Sequence, residues 1–308
     1  MFNHLHGLQL HRYAFPDAVL TGPGIPAYGV TFDEHPVRRG DRIRHIQGHD
    51  VDITALQHDH RAGEFNRLHS FMVGCRLDLI PDLRAARAMF PAPLETRAIA
   101  GFGDDDLVIH IRTGNTLAQT FSDYPPLPIG YYRRLISETE LHPVFTGQLE
   151  LDHPYLDALR CAFPDATFAR SLGLIEDFER LRRSRHLALS VSTFSWMAAW
   201  LSQAETIHLP IAGFFHPHRR ADIYLLPIDD PRYRFTLFAP QAWKATDDQW
   251  ARLTHGGEFG TPMSANEIRR TLRPSGAIAW SDVGVSGEAG GPYDSARTVA
   301  DATGGIEG

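Results

Sequence analysis

Cysteine is nearly absent: Cys75 and Cys161 are the two in 308 residues, far apart and without Cys-x-x-Cys partners. A disulfide scaffold is thereby excluded, and a reducing cytoplasm fits. Both thiols are expected as small buried apolar side chains, the usual fate of a free cysteine. Long hydrophobic runs are also missing. A membrane span needs ~20 consecutive apolar residues, whereas the most apolar stretches, such as residues 187–201, are broken by Ser, Thr and polar flanks. The start, Met1-Phe2-Asn3-His4, has neither a basic region nor an apolar core, so no export signal is expected. Positive charge is in deficit: 30 Lys and Arg against 37 Asp and Glu leave a net charge of -7. That balance argues against a general affinity for nucleic acid or an anionic membrane. An anionic ligand would have to be held by a local cluster of arginines and backbone donors. No Gly-x-Ser-x-Gly nucleophile elbow occurs, which removes the main support for a doubly wound hydrolase.

The chain does contain ample material for a core: 43% of its residues are apolar and 22% charged. Single domains rarely exceed ~250–300 residues, so two domains, or one domain with tails, is the expectation. The pattern predicts a first domain over residues 1–103, a second over 104–274 and a disordered Gly-, Ala- and Ser-rich tail over 275–308. Within the first, helices are expected over 7–15, 56–73 (broken near Gly63) and 80–90, and strands over 18–20 and 42–47. From residue 107 the signals alternate. Strands are predicted over 107–111, 143–145, 167–169, 187–191 and 206–209, and helices over 128–139, 153–162, 175–184 and 193–202. Strands separated by helices of this size predict a parallel sheet with helices on both faces. The aromatic-rich stretch 224–250 is expected to fold back onto the second domain.

Two segments carry chemistry. In Val108-Ile109-His110-Ile111-Arg112-Thr113-Gly114-Asn115 a buried strand runs into a glycine-containing loop. Ligands of parallel α/β sheets bind beyond the C-terminal strand ends. Alternation puts His110 and Arg112 on one side of the strand. Arg112 could fork onto a phosphate, Gly114 would let backbone N–H groups approach the same anion, and His110 could reach a base or ribose. The bland alternative is two polar residues satisfied within the core. In Ser190-Val191-Ser192-Thr193-Phe194-Ser195-Trp196-Met197-Ala198-Ala199-Trp200-Leu201 a strand ends, hydroxyls cluster and a helix begins. Ser192 or Thr193 is the natural N-cap, and a helix start suits a diphosphate. Here the bland alternative is a well-capped buried helix.

Together these segments resemble the α-1,2- and related fucosyltransferases. The α-1,2 family reads His-x-Arg-Arg-Gly-Asp at the first position and Ser-Asn-Ser-Ser-Phe-Ser-Trp-Trp-Gly-Ala-Trp-Leu at the second. The resemblance spans about residues 104–216 and includes Tyr131-Tyr132-Arg133-Arg134, Val144-Phe145-Thr146-Gly147-Gln148 and Asp177-Phe178 between the two motifs. It implies an α/β, GT-B-like fold of two Rossmann-like domains, the C-terminal one binding the donor nucleotide. It also implies a cytoplasmic, inverting, metal-independent glycosyltransferase without cofactor. The transferred sugar would be fucose from GDP-fucose, passed to a glycan acceptor in surface or capsular polysaccharide synthesis. In that reading Arg112 is catalytic and binds the β-phosphate. His110, Gly114, Asn115, Asp177, Ser190, Ser192, Thr193, Phe194 and Ser195 form the nucleotide-sugar site, with His110 and Asp177 towards the base. The chain departs from the family at Thr113, Asn115 and Gln148, and it begins almost at the helix that the family's Gly-Gly-Leu-Gly-Asn-Gln loop precedes. A catalytically inactive sugar-nucleotide or glycan-binding relative is the alternative.

Several features read as structural. Asp105, Asp106 and Asp123 are the acids nearest in sequence to act as a general base, but loop acids or caps are their commoner role. His58-Asp59-His60 lacks a third metal ligand at recognisable spacing. His216-Pro217-His218-Arg219-Arg220 is expected as a surface loop, Arg182-Arg183 with Arg185 as a solvated helix end, and Trp196 and Trp200 as one core-facing pair.

Overall fold

The computed structural model of the chain describes residues 1–49, 51–71, 75–117, 121–255, 257 and 259–272, apart from the side chains of Phe71, Arg97 and Asn115. The expected tail, 275–308, lies outside the described residues. The chain opens with α1 (Phe2–Gln9), continued by a π-helical turn (Leu10–Ala14). Next come β1 (Ile43–Gln47), α2 (Ile53–Arg61), β2 (Arg67–Phe71) and α3 (Leu83–Met89). A regular alternation follows: β3 (Asp106–His110), α4 (Ile129–Thr139), β4 (His142–Thr146), α5 (Pro154–Ala162), β5 (Thr167–Ala169), α6 (Leu174–Arg183), β6 (His186–Ala188), α7 (Thr193–Leu201) and β7 (Thr206–Ile211). The chain closes with β8 (Tyr233–Leu237), α8 (Asp247–His255), β9 (Thr261–Met263) and α9 (Ala265–Thr271).

The main sheet has seven strands in the order β5-β4-β3-β6-β7-β8-β9, all parallel except the pairing of β9 with β8. Counted from β3, the six parallel strands run 3-2-1-4-5-6, the order of Rossmann-like sheets. Sequential strands leave β3 first to one side and then to the other, so the order reverses between β3 and β6. Buried on both faces, the central strands are apolar in their middles: Leu107, Val108 and Ile109 of β3, Leu187 of β6 and Ile207 of β7 have no exposed surface. Helix α7 is apolar on every side and is correspondingly buried, with Trp196 and Trp200 stacked 5.5 Å apart.

Before residue 104, β1 and β2 form a separate parallel pair crossed over by α2. Here the expected second helical piece within 56–73 is a strand. Arg67-Leu68-His69-Ser70-Phe71 has no clear periodicity of its own, and it becomes a strand by pairing along β1, from Ile43 opposite Arg67 to Gln47 opposite Phe71. The strand expected over 18–20 has no ladder partner and is irregular. A small core of Leu10, Phe15, Ile53, Leu56 and Phe65 sits under this pair. Leu5, Tyr28, Ala86 and Phe90 join the main core instead.

Polar contacts also tie this segment to the sheet. Tyr28 Oη donates to the fully buried Glu179 at 2.9 Å. Arg182 donates to the Phe90 carbonyl at 2.6 Å, and Arg183 to the Thr96 carbonyl at 2.6 Å. Arg182 is therefore drawn in from the helix end and partly buried, whereas Arg183 stays exposed as expected while its guanidinium also reaches the Thr96 and Ile99 carbonyls. Cys75 is buried as expected, whereas Cys161, in the last turn of α5, is exposed. No described helix is long and apolar enough to cross a membrane.

Candidate functional site

The reversal between β3 and β6 leaves a crevice at their C-terminal ends, and both sequence motifs arrive there. Beyond β3 the ladder continues for one residue, Ile111 N donating to Thr146 O at 2.8 Å, before the chain turns at Arg112. Gly147, at the end of the adjacent strand, has φ +139°, and a Cβ on it would lie 2.3 Å from the Ile111 carbonyl oxygen. Only glycine lets the two strand ends approach so closely. Gly114 opens the short 3-10 turn Gly114–Thr116.

Arg112 is held on several sides. Its Nε donates to Thr116 Oγ1 at 2.9 Å and a terminal nitrogen to Ser192 Oγ at 3.4 Å. The guanidinium lies over the Tyr124 ring, 4.1 Å from its centre, and Tyr124 stacks in turn on Phe214 at 5.1 Å. Burial lowers the Arg112 pKa, and Tyr124 opposes that shift. An arginine starts so high that it stays cationic. Burial likewise raises the Tyr124 phenol, so the ring remains a neutral platform for the cation.

Ser192 stands at the N-cap of α7 but makes no capping side-chain hydrogen bond. Its hydroxyl accepts from Arg112 instead, leaving the helix's positive end without a side-chain cap beside that cation. His110 is buried, with Nδ1 2.7 Å from Ser190 Oγ and its ring 5.8 Å from that of Phe194. Burial first, and the Arg112 charge second, push its pKa down to about 3. The imidazole is therefore neutral, and what it orients is Ser190.

Of the residues singled out from sequence, His110, Arg112, Ser190, Ser192 and Phe194 form one contiguous cluster. Thr193 is half-buried in the first turn of α7, and Ser195 is buried with its hydroxyl donating to Ser192 O. The Asn115 backbone lies in the turn, but its side chain is outside the described residues. Asp177 is occupied locally: it accepts from Ser171 Oγ at 2.5 Å and from Leu172 N at 3.0 Å, bracing the entry to α6. Phe178 beside it packs on Phe194.

Asp106 begins β3 and accepts from Gly103 N. Six residues of strand at ~3.3 Å each put it and Asp105 roughly 20 Å from Arg112, at the wrong end for a general base. Asp123 is at the correct end, but its carboxylate is bound by Arg219 at 2.8 Å and Arg220 at 3.1 Å. His216, expected on a surface loop, is buried, and this loop forms a wall of the site through Phe214, Arg219 and Arg220. His58 and His60 reach Asp59 and the Phe65 carbonyl respectively, and no group of three or more metal-ligating side chains converges among the described residues.

Thr116, Tyr124 and Phe214 are the site residues that sequence reading missed. The chain offers no local signal for them, because Tyr124 meets Arg112 only when the Phe121–Pro125 loop docks on the turn after β7, Phe214 N donating to Asp123 O at 2.6 Å. No family model, curated protein or solved structure matches the chain.

Proposed function

We propose that the chain is an inverting glycosyltransferase of the fucosyltransferase-like kind, using a nucleoside-diphosphate sugar, in the first instance GDP-fucose, and a glycan acceptor. The observation that carries this reading is the pairing of Arg112 with Ser192 and the start of α7 at the point where strand order reverses. A cation, hydroxyls and a helix N-terminus at that crevice suit a diphosphate. The loop after β3 carries a single glycine, Gly114, rather than the three-glycine fingerprint of dinucleotide sites. In this reading the βαβ unit of β1, α2 and β2 is a reduced acceptor domain of a GT-B-like pair.

The reaction is one displacement. The acceptor oxygen forms a bond to the anomeric carbon while the bond from that carbon to the β-phosphate oxygen breaks. The acceptor proton leaves to a base, and the electron pair goes to the diphosphate. Charge developing there is what Arg112 and the first turn of α7 stabilise, an electrostatic contribution that is often the largest in catalysis. Ser190, oriented by neutral His110, adds a hydroxyl without adding charge.

A thermal-shift series with GDP-, UDP- and dTDP-sugars tests the reading. A ligand at about 100 times its dissociation constant stabilises by ~2.7 kcal/mol. Stabilisation by UDP or dTDP compounds but not GDP would overturn the donor, and none by any of them would overturn the site. The second reading, a binding protein without transfer activity, is favoured by the engagement of Asp123 with two arginines. Binding of GDP without hydrolysis or transfer of the sugar would decide for it.

A further inference from the structure

The two-stranded sheet before residue 104 has one covered face and one open face. Ile46 and Leu68 pack on the small core beneath it, and Arg44 turns the same way to pair with Asp59 of α2. Side chains alternate along each strand, so His45 and His69 stand on the other face, and both are exposed. They are partners in register, His45 of β1 opposite His69 of β2. Their rings lie 5.1 Å apart at 72° to one another, and the two Nδ1 atoms face each other at 3.1 Å.

Two imidazole nitrogens bound to one ion at ~2.0–2.1 Å, with an angle at the ion between square and tetrahedral, lie roughly 2.8–3.4 Å apart. The Nδ1 pair already has that bite. In the present arrangement a single N–H···N bond joins the rings, one of them donating. An ion would replace that bond, with both rings carrying their hydrogen on Nε2. Exposure leaves the rings room to turn both lone pairs onto a common point. The cation on this face, Arg67 of β2, is drawn off towards the start of β1. Its Nε is 2.6 Å from Asp41, and its terminal nitrogens donate to the His35 carbonyl at 2.9 Å and the Pro36 carbonyl at 2.7 Å.

We infer that His45 and His69 form a two-nitrogen chelate for a late first-row divalent ion, Cu²⁺ before Ni²⁺ or Zn²⁺, which clips β1 to β2. Imidazole suits these ions, whereas Mg²⁺ and Ca²⁺ take oxygen ligands. With two ligands from the chain the ion keeps water in its other positions, so it is exchangeable, unlike the ion of a closed four-ligand site. Two strands bury little by themselves. The clip joins residues 24 apart in sequence and so restricts the unfolded chain between them. The pair lies outside the Arg112 cluster, and its occupancy does not depend on the transferase reading.

The test uses the full chain carrying Cys161→Ser, which removes the exposed thiol as a competing ligand. Stripped of metal, it is titrated with CuCl₂, ZnCl₂ and MgCl₂ by calorimetry. One equivalent of Cu²⁺ should bind with two imidazole nitrogens in its paramagnetic resonance spectrum, Zn²⁺ should bind more weakly, and Mg²⁺ should not bind. His45→Gln and His69→Gln should each weaken Cu²⁺ binding by about tenfold or more, the loss of one arm of a chelate. His58→Gln, at a histidine 83% exposed beside Asp59, should leave it unchanged. Zn²⁺ should slow hydrogen exchange across Ile43–Gln47 and Arg67–Phe71 in the parent but not in the two chelate variants. Equal Cu²⁺ affinity in the parent and both variants would overturn the proposal. So would loss of the tight site in His58→Gln, or binding that leaves exchange in both strands unaltered.

Discussion

At the scale of single residues, the site depends on one guanidinium being both charged and aimed. Ser192 and Thr116 supply the aim through hydrogen bonds, and Tyr124 through its face. Arg112→Ala is expected to lower transfer by about 10²–10³-fold, the usual cost of removing one donor to a developing charge. Arg112→Lys should recover little, since a point charge cannot fork onto a diphosphate. Steady-state rates of both variants check this. Tyr124→Leu removes a cation–π contact of ~0.5–2 kcal/mol, so GDP affinity by calorimetry should fall by a few-fold with the unfolding midpoint little changed.

Acid sensitivity also belongs to this scale. His110 is held near pKa 3, and His6, His208 and His216 near 4, chiefly by burial. An unfolded histidine titrates near ~6.5, so between those values unfolding takes up protons. Stability is therefore complete above about 6.5 and is lost as pH falls towards 4, levelling off below the folded values. Urea midpoints measured from neutral pH downwards should fall across that window, and His110→Gln should make the fall shallower. The motif residues His110, Arg112, Ser190 and Ser192 were legible because strand alternation and a cap signal are local. What the sequence did not show for Asp177 is its local engagement: an acid near a helix start has a nearby backbone N–H to satisfy, here that of Leu172.

At the scale of elements, the close packing of β3 against β4 sets where Arg112 emerges. Gly147→Ala would force a Cβ against the Ile111 carbonyl at 2.3 Å as well as a left-handed backbone. The expected loss is ~1–3 kcal/mol or more, with weaker nucleotide binding, read by denaturation and calorimetry together. β3 and α7 fall where an unbroken apolar run and a helix-start signal predict them. β2 is different: its mixed polar and apolar residues decide little until β1 offers a partner. α9 had a readable signal, the Ser264-x-x-Glu267 capping box, but its seven residues give too short a periodic pattern to stand out.

At the scale of the whole molecule, the segment before residue 104 is joined to the sheet by side chains that read as surface charge in the sequence. Tyr28→Phe leaves Glu179 without its 2.9 Å donor, and the expected loss is about 1–3 kcal/mol. The double variant Arg182→Ala, Arg183→Ala should speed hydrogen exchange across residues 83–99 while the main sheet stays protected. Uniform exchange rates in that variant would show that apolar contacts alone hold the segment. By itself the sequence determined the alternating α/β class, the strand that ends at Arg112 and the helix that begins after Ser192, because periodicity, glycine and capping act over a few residues. Only the tertiary structure decided that β3 and β6 are neighbours, that Tyr124 lies under Arg112, and that Arg182 and Arg183 bind carbonyls of a distant segment. Those outcomes depend on strand order and on contacts between residues far apart in the chain, where no local preference operates.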